Sequence, residues 1–347
     1  MTSIGDSAFS FCSSLKYISI PKSVICLNGN PFAAWDGKLE CLSPNFVYED
    51  DVLFNKDKSR IISFRNQNIK SYVIPSSVTS IGDSAFSWCS SLSELVIPSS
   101  VTSIGDSAFT CSSLSELVIP SSVTSIGDSA FTCSSLSELV IPSSVTSIGD
   151  WAFFGCSSLK YISIPKSVIC LNGNPFAAWD GKLECLSPNF VYEDDVLFNK
   201  DKSRIISFRN QNIKSYVIPS YVTSIGDHAF SSCRSLSEIV IPSSVTSIGK
   251  GAFSCWDSLS EIVIPSSVTG IGDHAFFDCC SLSEIVIPSS VTSIGKYAFS
   301  SCRSLSEIVI PSSVTSIGDS AFYNCKFTDN LKQELISRFG DKIFSLW

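Results

Sequence analysis

The residues that most resemble catalytic machinery are the serines of a recurring Gly-Asp-Ser-Ala-Phe sequence. A serine nucleophile in a sharp turn is typically followed by a second glycine and needs a base such as histidine nearby. Phenylalanine stands where that glycine would be, and the chain has only two histidines, His228 and His274. They occupy equivalent positions of a repeat, which favours polar surface substitutions over catalytic bases.

Sequence motifs for metals and nucleotides are missing as well. No Cys-x-x-Cys pair, His-Glu-x-x-His segment, phosphate-binding glycine loop or calcium-binding glycine repeat occurs. We therefore predict no catalytic residues, no enzymatic activity, no cofactor and no metal.

The composition excludes several further classes of protein. The chain has 347 residues, 24 Lys and Arg against 32 Asp and Glu, and a net charge of −8. An acidic chain without a basic face does not suit a general nucleic-acid binder. The hydrophobic content of 44% supports a folded core. No apolar run approaches the roughly 18 residues of a membrane span.

A repeat of about 23 residues decides the fold. One unit, residues 236–258, reads LSEIVIPSSVTSIGKGAFSCWDS, and its apolar positions, proline, glycine and cysteine recur along the chain. The prolines that mark the period are Pro75, Pro98, Pro120, Pro142 and Pro165, followed by Pro219, Pro242, Pro265, Pro288 and Pro311.

A larger duplication overlies this repeat. Residues 12–76 and 156–220 are identical. Each copy holds a longer, irregular segment, residues 21–74 and 165–218, with the sequence FVYEDDVLFNKDKSRIISF. Alternating apolar residues flank the polar stretch from Asn55 to Lys58, so we predict a hairpin extending from one coil.

Each regular unit predicts two short extended segments and a turn. Leu95 and Ile97 alternate with polar neighbours before Pro98, which indicates a strand that ends at the proline. Asp106 is placed to cap a short helical turn through Phe109. One unit cannot bury its own apolar side chains, but stacked units can. We predict one continuous α/β solenoid of about 14 coils over residues 1–327, roughly 65 Å long at the spacing of parallel strands.

The pattern LxxLxIPxxVxxIGxxAFxxC of residues 136–156 resembles the repeats of BspA-like leucine-rich-repeat surface proteins, as does the longer segment PNFVYEDDVLFNKDKSRII. The resemblance implies a right-handed superhelix with a parallel strand face and short helical turns opposite. It also implies adhesion or protein binding without a catalytic centre, at the cell surface or after secretion. The chain enters the repeat in mid-unit at Met1 without the pattern of a signal peptide, which favours a truncated gene or a fragment.

Most of the fifteen cysteines lie two or three residues after the phenylalanine that recurs in each repeat unit. Their number is odd and every coil offers two equivalent neighbours, so specific pairing is poorly encoded. We predict reduced, mostly buried thiols that act as small hydrophobic side chains, and a reducing setting. The repeat-phase cysteines are Cys12, Cys89, Cys111, Cys133, Cys156, Cys233, Cys255, Cys279, Cys280, Cys302 and Cys325, and the duplicated insert adds Cys26, Cys41, Cys170 and Cys185.

The exposed side of the first strand is the candidate protein-binding face. Carboxylates recur there at Glu94, Glu116, Glu138, Glu238, Glu261, Glu284 and Glu307. Valines recur two residues later, at Val96, Val118 and Val140 and at Val240, Val263, Val286 and Val309. The column either protects the sheet from aggregation or binds a basic, extended protein partner. Lys160, Tyr161 and Ser163 interrupt it in the duplicated coil.

The final segment, residues 328–347, leaves the repeat and predicts a capping helix and tail. Leu331, Leu335, Ile336 and Phe339 share one helical face, Thr328 or Asp329 can cap its start, and Gly340 suits its end. Ile343, Phe344, Leu346 and Trp347 are expected to fold back on the same end. A partner-binding helix is the alternative.

Two functions remain open on this sequence. The first is a monomeric, non-enzymatic scaffold for an unidentified protein partner, as an adhesin or surface antigen. The alternative is a structural repeat segment of a larger protein with no binding activity of its own.

Overall fold

Two short strands from each regular repeat form the framework of the structure. The computed structural model describes residues 1–210 and 212–345, which form two units, Met1–Ser187 and Pro188–Trp347. In a regular repeat the first strand, such as Glu94–Val96, ends before proline, and the second, such as Ser103–Ile104, precedes the glycine turn. The sequence prediction of stacked parallel-strand coils is confirmed.

The strands of the first unit pair mainly in parallel. The second strands join one sheet in the order β17-β15-β13-β11-β9-β7-β6-β5, and the first strands form the pairs β2-β4, β8-β10, β12-β14 and β16-β18 beside the pair β1-β3. The strands are β1 (Ser3–Ile4), β2 (Tyr17–Ile20), β3 (Cys26–Leu27), β4 (Lys38–Cys41), β5 (Phe46–Glu49), β6 (Val52–Asn55), β7 (Arg60–Phe64), β8 (Ser71–Val73), β9 (Ser80–Ile81), β10 (Glu94–Val96), β11 (Ser103–Ile104), β12 (Glu116–Val118), β13 (Ser125–Ile126), β14 (Glu138–Val140), β15 (Ser147–Ile148), β16 (Tyr161–Ile164), β17 (Cys170–Leu171) and β18 (Lys182–Cys185).

The second unit repeats this plan. Its long sheet has the order β19-β20-β21-β23-β25-β27-β29-β30, and its first strands form the pairs β22-β24 and β26-β28. The strands are β19 (Phe190–Glu193), β20 (Val196–Asn199), β21 (Arg204–Phe208), β22 (Ser215–Val217), β23 (Ser224–Ile225), β24 (Glu238–Val240), β25 (Ser247–Ile248), β26 (Glu261–Val263), β27 (Gly270–Ile271), β28 (Glu284–Val286), β29 (Ser293–Ile294) and β30 (Ser316–Ile317). A helix α1 (Asp329–Phe339) and a 3-10 turn (Asp341–Ile343) follow.

A stack of phenylalanine rings forms the centre of each unit. In the second unit the ring of Phe276 lies 5.2 Å from those of Phe253 and Phe299, nearly parallel to both, and all three are fully buried. In the first unit Phe109 and Phe131 stack at 5.5 Å. The rings keep the interval of the backbone coils, so burying one ring requires the next coil in register.

The prediction that Asp106 caps a helical turn in its own coil is wrong. The turn has no helical residues, and Ser107 has a φ of 53°, in the left-handed region. The Asp106 carboxylate instead accepts a hydrogen bond of 2.8 Å from the backbone N–H of Asp128, one coil further on. Asp83 caps Asp106 in the same way at 3.2 Å. The side chain therefore fastens neighbouring coils to each other.

The irregular segments contain the predicted hairpin and a second one. Strands β6 and β7 are antiparallel around the turn at Asn55–Lys58, which confirms the prediction. Strand β5 pairs with β6 in the same way, across a turn of Asp50 and Asp51 that both have positive φ. Aspartate tolerates this conformation better than most residues. The copy in the second unit has the same three strands, β19, β20 and β21.

The end of the second unit is covered as the sequence predicts. Thr328 caps the start of helix α1, where its hydroxyl accepts a hydrogen bond of 3.4 Å from the Leu331 N–H, and Gly340 caps the end with a φ of 86°. Leu335 and Ile343 are buried against the last coil, and Phe344 packs on Phe322. The tail residues Leu346 and Trp347 lie outside the described residues.

The stacked arrangement makes a prediction about deletion of a coil. Removing residues 259–281 from the second unit takes out one complete repeat and joins equivalent positions of the coils on either side. Since coils contact mainly their neighbours, we expect a soluble, folded, shorter protein by circular dichroism and gel filtration. Loss of fold in this variant, but not in the parent, would contradict the independent stacking of coils.

The cap makes a second prediction. Leu335 is 1% exposed, so Leu335→Ala should lower the free energy of unfolding by about 2–5 kcal/mol. The exposed neighbour Gln333 provides the control, because Gln333→Ala should change it by less than about 0.5 kcal/mol. Urea unfolding measures both, and equal stability of the two variants would show that α1 does not seal the last coil.

Candidate protein-binding face

The predicted face lies on the first strands of the regular coils. In strands β10, β12, β14, β24, β26 and β28 the glutamate and the valine are exposed, while the leucine or isoleucine between them is buried. Glu307 and Val309 have the same exposure in a segment without an assigned strand. We call these exposed glutamates and valines the Glu/Val face of each unit.

The structure brings some of these residues directly opposite each other. In the first unit Glu116 stands opposite Glu138, and Val118 opposite Val140. In the second unit Glu261 stands opposite Glu284, and Val263 opposite Val286. Glu94 instead stands opposite Ser71, and Glu238 opposite Ser215. Both partners follow from the repeat spacing, because Ser71 and Ser215 occupy the glutamate position of the preceding coil.

The valines expose unusual apolar area for β-strand residues. Val118 is 80% exposed, Val140 79% and Val309 81%. Regular exposure of a β-branched side chain next to a carboxylate gives each unit a mixed surface, apolar in one column and negative in the next. Such contiguous apolar positions on a folded surface commonly mark contact sites.

Shallow grooves run between adjacent strands of this face. In the second unit an open groove of about 430 Å³ lies between the Glu284–Val286 strand and the segment that contains Glu307 and Val309. In the first unit a smaller one of about 260 Å³ is lined by Glu116, Val118, Glu138 and Val140. Each groove offers carboxylates and valine methyl groups together, which suits an extended chain with basic and apolar side chains.

In the duplicated coils a carboxylate at this face accepts hydrogen bonds from the neighbouring strand, which sequence reasoning missed. Tyr17 donates a short hydrogen bond to Glu40, and Ser19 donates another of 3.0 Å to the same carboxylate oxygen. These bonds, that of Tyr17 first, lower the pKa of Glu40. The hydrogen bond to Glu40 is also the main cause that raises the pKa of Tyr17. Tyr161 bonds Glu184 in the same manner in the second copy. The sequence did contain a signal for these bonds, because the Tyr-Ile-Ser of one coil aligns with the Lys-Leu-Glu of the next.

Ten of the eleven repeat-phase cysteines lie in two columns, three or two residues after a phenylalanine of the core. Three residues after each phenylalanine the side chain points inwards, and there Cys156 donates its thiol proton to the carbonyl of Phe131 at 2.9 Å. Cys302 and Cys325 do the same to Phe276 and Phe299, each at 3.1 Å. Burial raises the pKa of Cys325 to about 12. These thiols are hydrogen-bond donors between coils.

Two residues after the phenylalanine the backbone has positive φ and the side chain lies nearer the surface. This outer column contains Cys111, Cys133 and Cys255, of which Cys133 is exposed. All fifteen cysteines are free in the structure, and most of the repeat-phase cysteines in the inner column are buried.

The expectation that both histidines are surface substitutions is wrong for His228. Its side chain is 6% exposed, and burial is the main cause that lowers its pKa to about 4. The imidazole occupies space beside Gly251, where an added Cβ would lie 2.2 Å from a ring carbon. His274 is partly exposed and stacks on Tyr297 with 4.8 Å between ring centres.

The described residues also bear on metal binding and on membrane insertion. Within residues 1–210 and 212–345, no three His, Cys, Asp or Glu side chains converge as a metal site would require. The one α-helix in the described part of the chain is too short and too polar to cross a membrane.

Comparison with known families decides the identity of the fold. A family model for the BspA-type leucine-rich repeat region matches residues 1–46, 60–180 and 205–345, in six copies. The chain belongs to this family. The resemblance noted in the sequence is thereby confirmed, and BspA-type repeats are generally non-enzymatic.

Solved structures agree with the family. A leucine-rich cell surface protein from Faecalibacterium prausnitzii is 31% identical over 98% of this chain and 86% of its own, with a TM-score of 0.63. A leucine-rich repeat protein from Eubacterium ventriosum is 26% identical over 82% of this chain and 95% of its own, with a TM-score of 0.60. The pneumococcal vaccine antigen PcpA, 21% identical over 98% of this chain and 90% of its own, shares the fold with a TM-score of 0.54. No curated protein matches the chain.

The inner cysteine column predicts low reactivity in the native BspA-type chain. Because these thiols are buried and bonded to carbonyl oxygens, we expect a thiol reagent to label few of them before denaturation and nearly all fifteen cysteines afterwards. Exposed Cys26 and Cys170 serve as internal positive controls. A native mass that reveals several disulfides would contradict the prediction of reduced thiols.

Proposed function

We propose that this BspA-type chain is a non-enzymatic scaffold that binds an extended, basic protein segment along its Glu/Val face. The observation that carries the proposal is the regular exposure of a carboxylate and a valine on successive strands. Among the described residues no cation forms an ion pair with Glu261 or Glu284 within 4.0 Å. Their charge is therefore open to a partner.

The choice of a basic partner follows from charge complementarity. The net charge is −8, and like carboxylates opposite each other, such as Glu261 and Glu284, repel until a cation lies between them. A lysine-rich segment relieves this repulsion, and its apolar side chains contact Val263 and Val286. Likeness to a leucine-rich cell surface protein supports an adhesive role for such binding.

The probe for this proposal is a fluorescent decapeptide of alternating lysine and valine, measured by anisotropy. We expect binding to the parent that weakens as salt is raised, because charge attraction is screened. The double variant Glu261→Lys, Glu284→Lys should bind at least tenfold more weakly, since repulsion replaces attraction.

The matched control makes the same change in formal charge at two residues that lie away from the Glu/Val face. Asp257 and Asp319 are exposed residues of the turns, so Asp257→Lys, Asp319→Lys should retain most of the binding. Equal loss in both double variants would show that only total charge matters. A parent that does not bind the peptide, or a face variant that binds as tightly as the parent, would favour a structural segment without binding activity.

A further inference from the structure

Cys111 and Cys133 occupy the same place in two successive coils of the first unit. Both follow a core phenylalanine by two residues, both have a φ of 51°, and the phenylalanine rings stack at 5.5 Å and 7°. The Cys111 N–H donates a hydrogen bond of 2.9 Å to the Thr132 carbonyl, next to Cys133 in the chain. The two backbones are therefore adjacent and in register.

This register sets the distance between the two thiol-bearing residues. Neighbouring parallel strands lie about 4.8 Å apart, and disulfides join Cα atoms about 4.4–6.8 Å apart. Because the two residues occupy equivalent positions, their Cα–Cβ bonds are parallel and their Cβ atoms are also about 4.8 Å apart. The typical Cβ–Cβ distance in a disulfide is ~3.8 Å. Closing a bond requires a small local movement and leaves strain.

The surroundings allow that movement. Cys133 is exposed and Cys111 is half-buried, whereas the inner-column thiols are sealed in the core. On the far side of Cys133 the equivalent residue is Gly155, where an added Cβ would lie 3.1 Å from the Cys133 sulfur. The glycine thus leaves the Cys133 thiol room that a side chain would fill.

We propose that Cys111 and Cys133 form a reversible redox modification site, which small-molecule disulfides such as oxidised glutathione convert into a bridge between two coils. The Cys133 thiolate attacks the disulfide, forms a mixed disulfide and releases one reduced thiol. The Cys111 thiol then loses its proton, attacks the Cys133 sulfur of the mixed disulfide and releases the second reduced thiol. Two protein thiols are oxidised and one external disulfide is reduced to two thiols.

The order of attack follows from exposure. Burial and then the neighbouring Cys133 thiol raise the pKa of Cys111, so Cys111 is the slower nucleophile towards an external reagent. The strain of the bridge makes it readily reducible, as is typical of labile rather than structural disulfides.

The experiment treats the reduced full chain with oxidised glutathione, blocks the remaining thiols and digests without reduction using a protease that cleaves after glutamate. Cleavage after Glu94, Glu116 and Glu138 places the cysteines on peptides 95–116 and 117–138, each with one cysteine. The peptides are identical in sequence, so the intact mass must first show a monomer. We expect the linked pair in the parent and its loss on mild reduction.

Variants and an internal control make the result decisive. In Cys111→Ser, Cys133 should retain one glutathione, whereas Cys133→Ser should gain little adduct at Cys111. Cys279, Cys302 and Cys325 also lie in successive coils but are buried, so they should stay unmodified. A stable glutathione adduct on these two peptides in the parent, without a linked pair, would overturn the proposal, as would equal oxidation of the buried column.

Discussion

Every coil of this protein has an apolar surface that it can bury only against the next coil. The nearly parallel rings of Phe253, Phe276 and Phe299, 5.2 Å apart, show the interval at which this burial takes place. Backbone hydrogen bonding between parallel strands demands a similar interval. The same spacing thus satisfies both the core and the backbone, which explains why coils of 22 and 23 residues stack without breaking the register.

The hydrogen-bonding side chains obey the same constraint. Ser122 donates to the carbonyl of Val101 at 2.6 Å, and Thr124 donates to that of Thr102 at 3.3 Å, one coil back in each case. Asp106 and the buried Cys156 likewise bond to a neighbouring coil. Short polar side chains are therefore frequent because each can satisfy a backbone group of the adjacent coil, and their number does not indicate catalysis.

The sequence predicted features that depend on local pattern. Alternation around Leu95 and Ile97 located the strand, and Thr328 and Gly340 located the ends of α1. It failed where the deciding contact comes from another coil. Ser107 adopts a left-handed turn because its backbone bonds to the carbonyl of Asp128 at 2.7 Å. His228 is buried because the coil that follows offers Gly251 beside it. No single repeat contains either piece of information.

The candidate face shows the same division. The sequence identified its exposed glutamates and valines, since alternation within a strand fixes which side chains point outwards. The repeat spacing likewise places Glu261 opposite Glu284 and Glu238 opposite Ser215, one coil apart in each case. What one repeat did not reveal is the hydrogen bond that Tyr17 or Tyr161 donates to a carboxylate of the next strand.

A contrast within the structure gives the Glu/Val face its significance. In the duplicated coils Tyr161 donates a hydrogen bond to Glu184 of the strand that follows, so that carboxylate already has a partner at the surface. The serine and threonine columns are satisfied by the carbonyl groups of adjacent coils. Glu261 and Glu284 have neither kind of bond within the described part of the chain, and the valines beside them remain exposed. The other polar columns are thus bonded within the scaffold, whereas the Glu/Val face presents carboxylates without such bonds beside exposed valines. A protein partner would gain most from contact there.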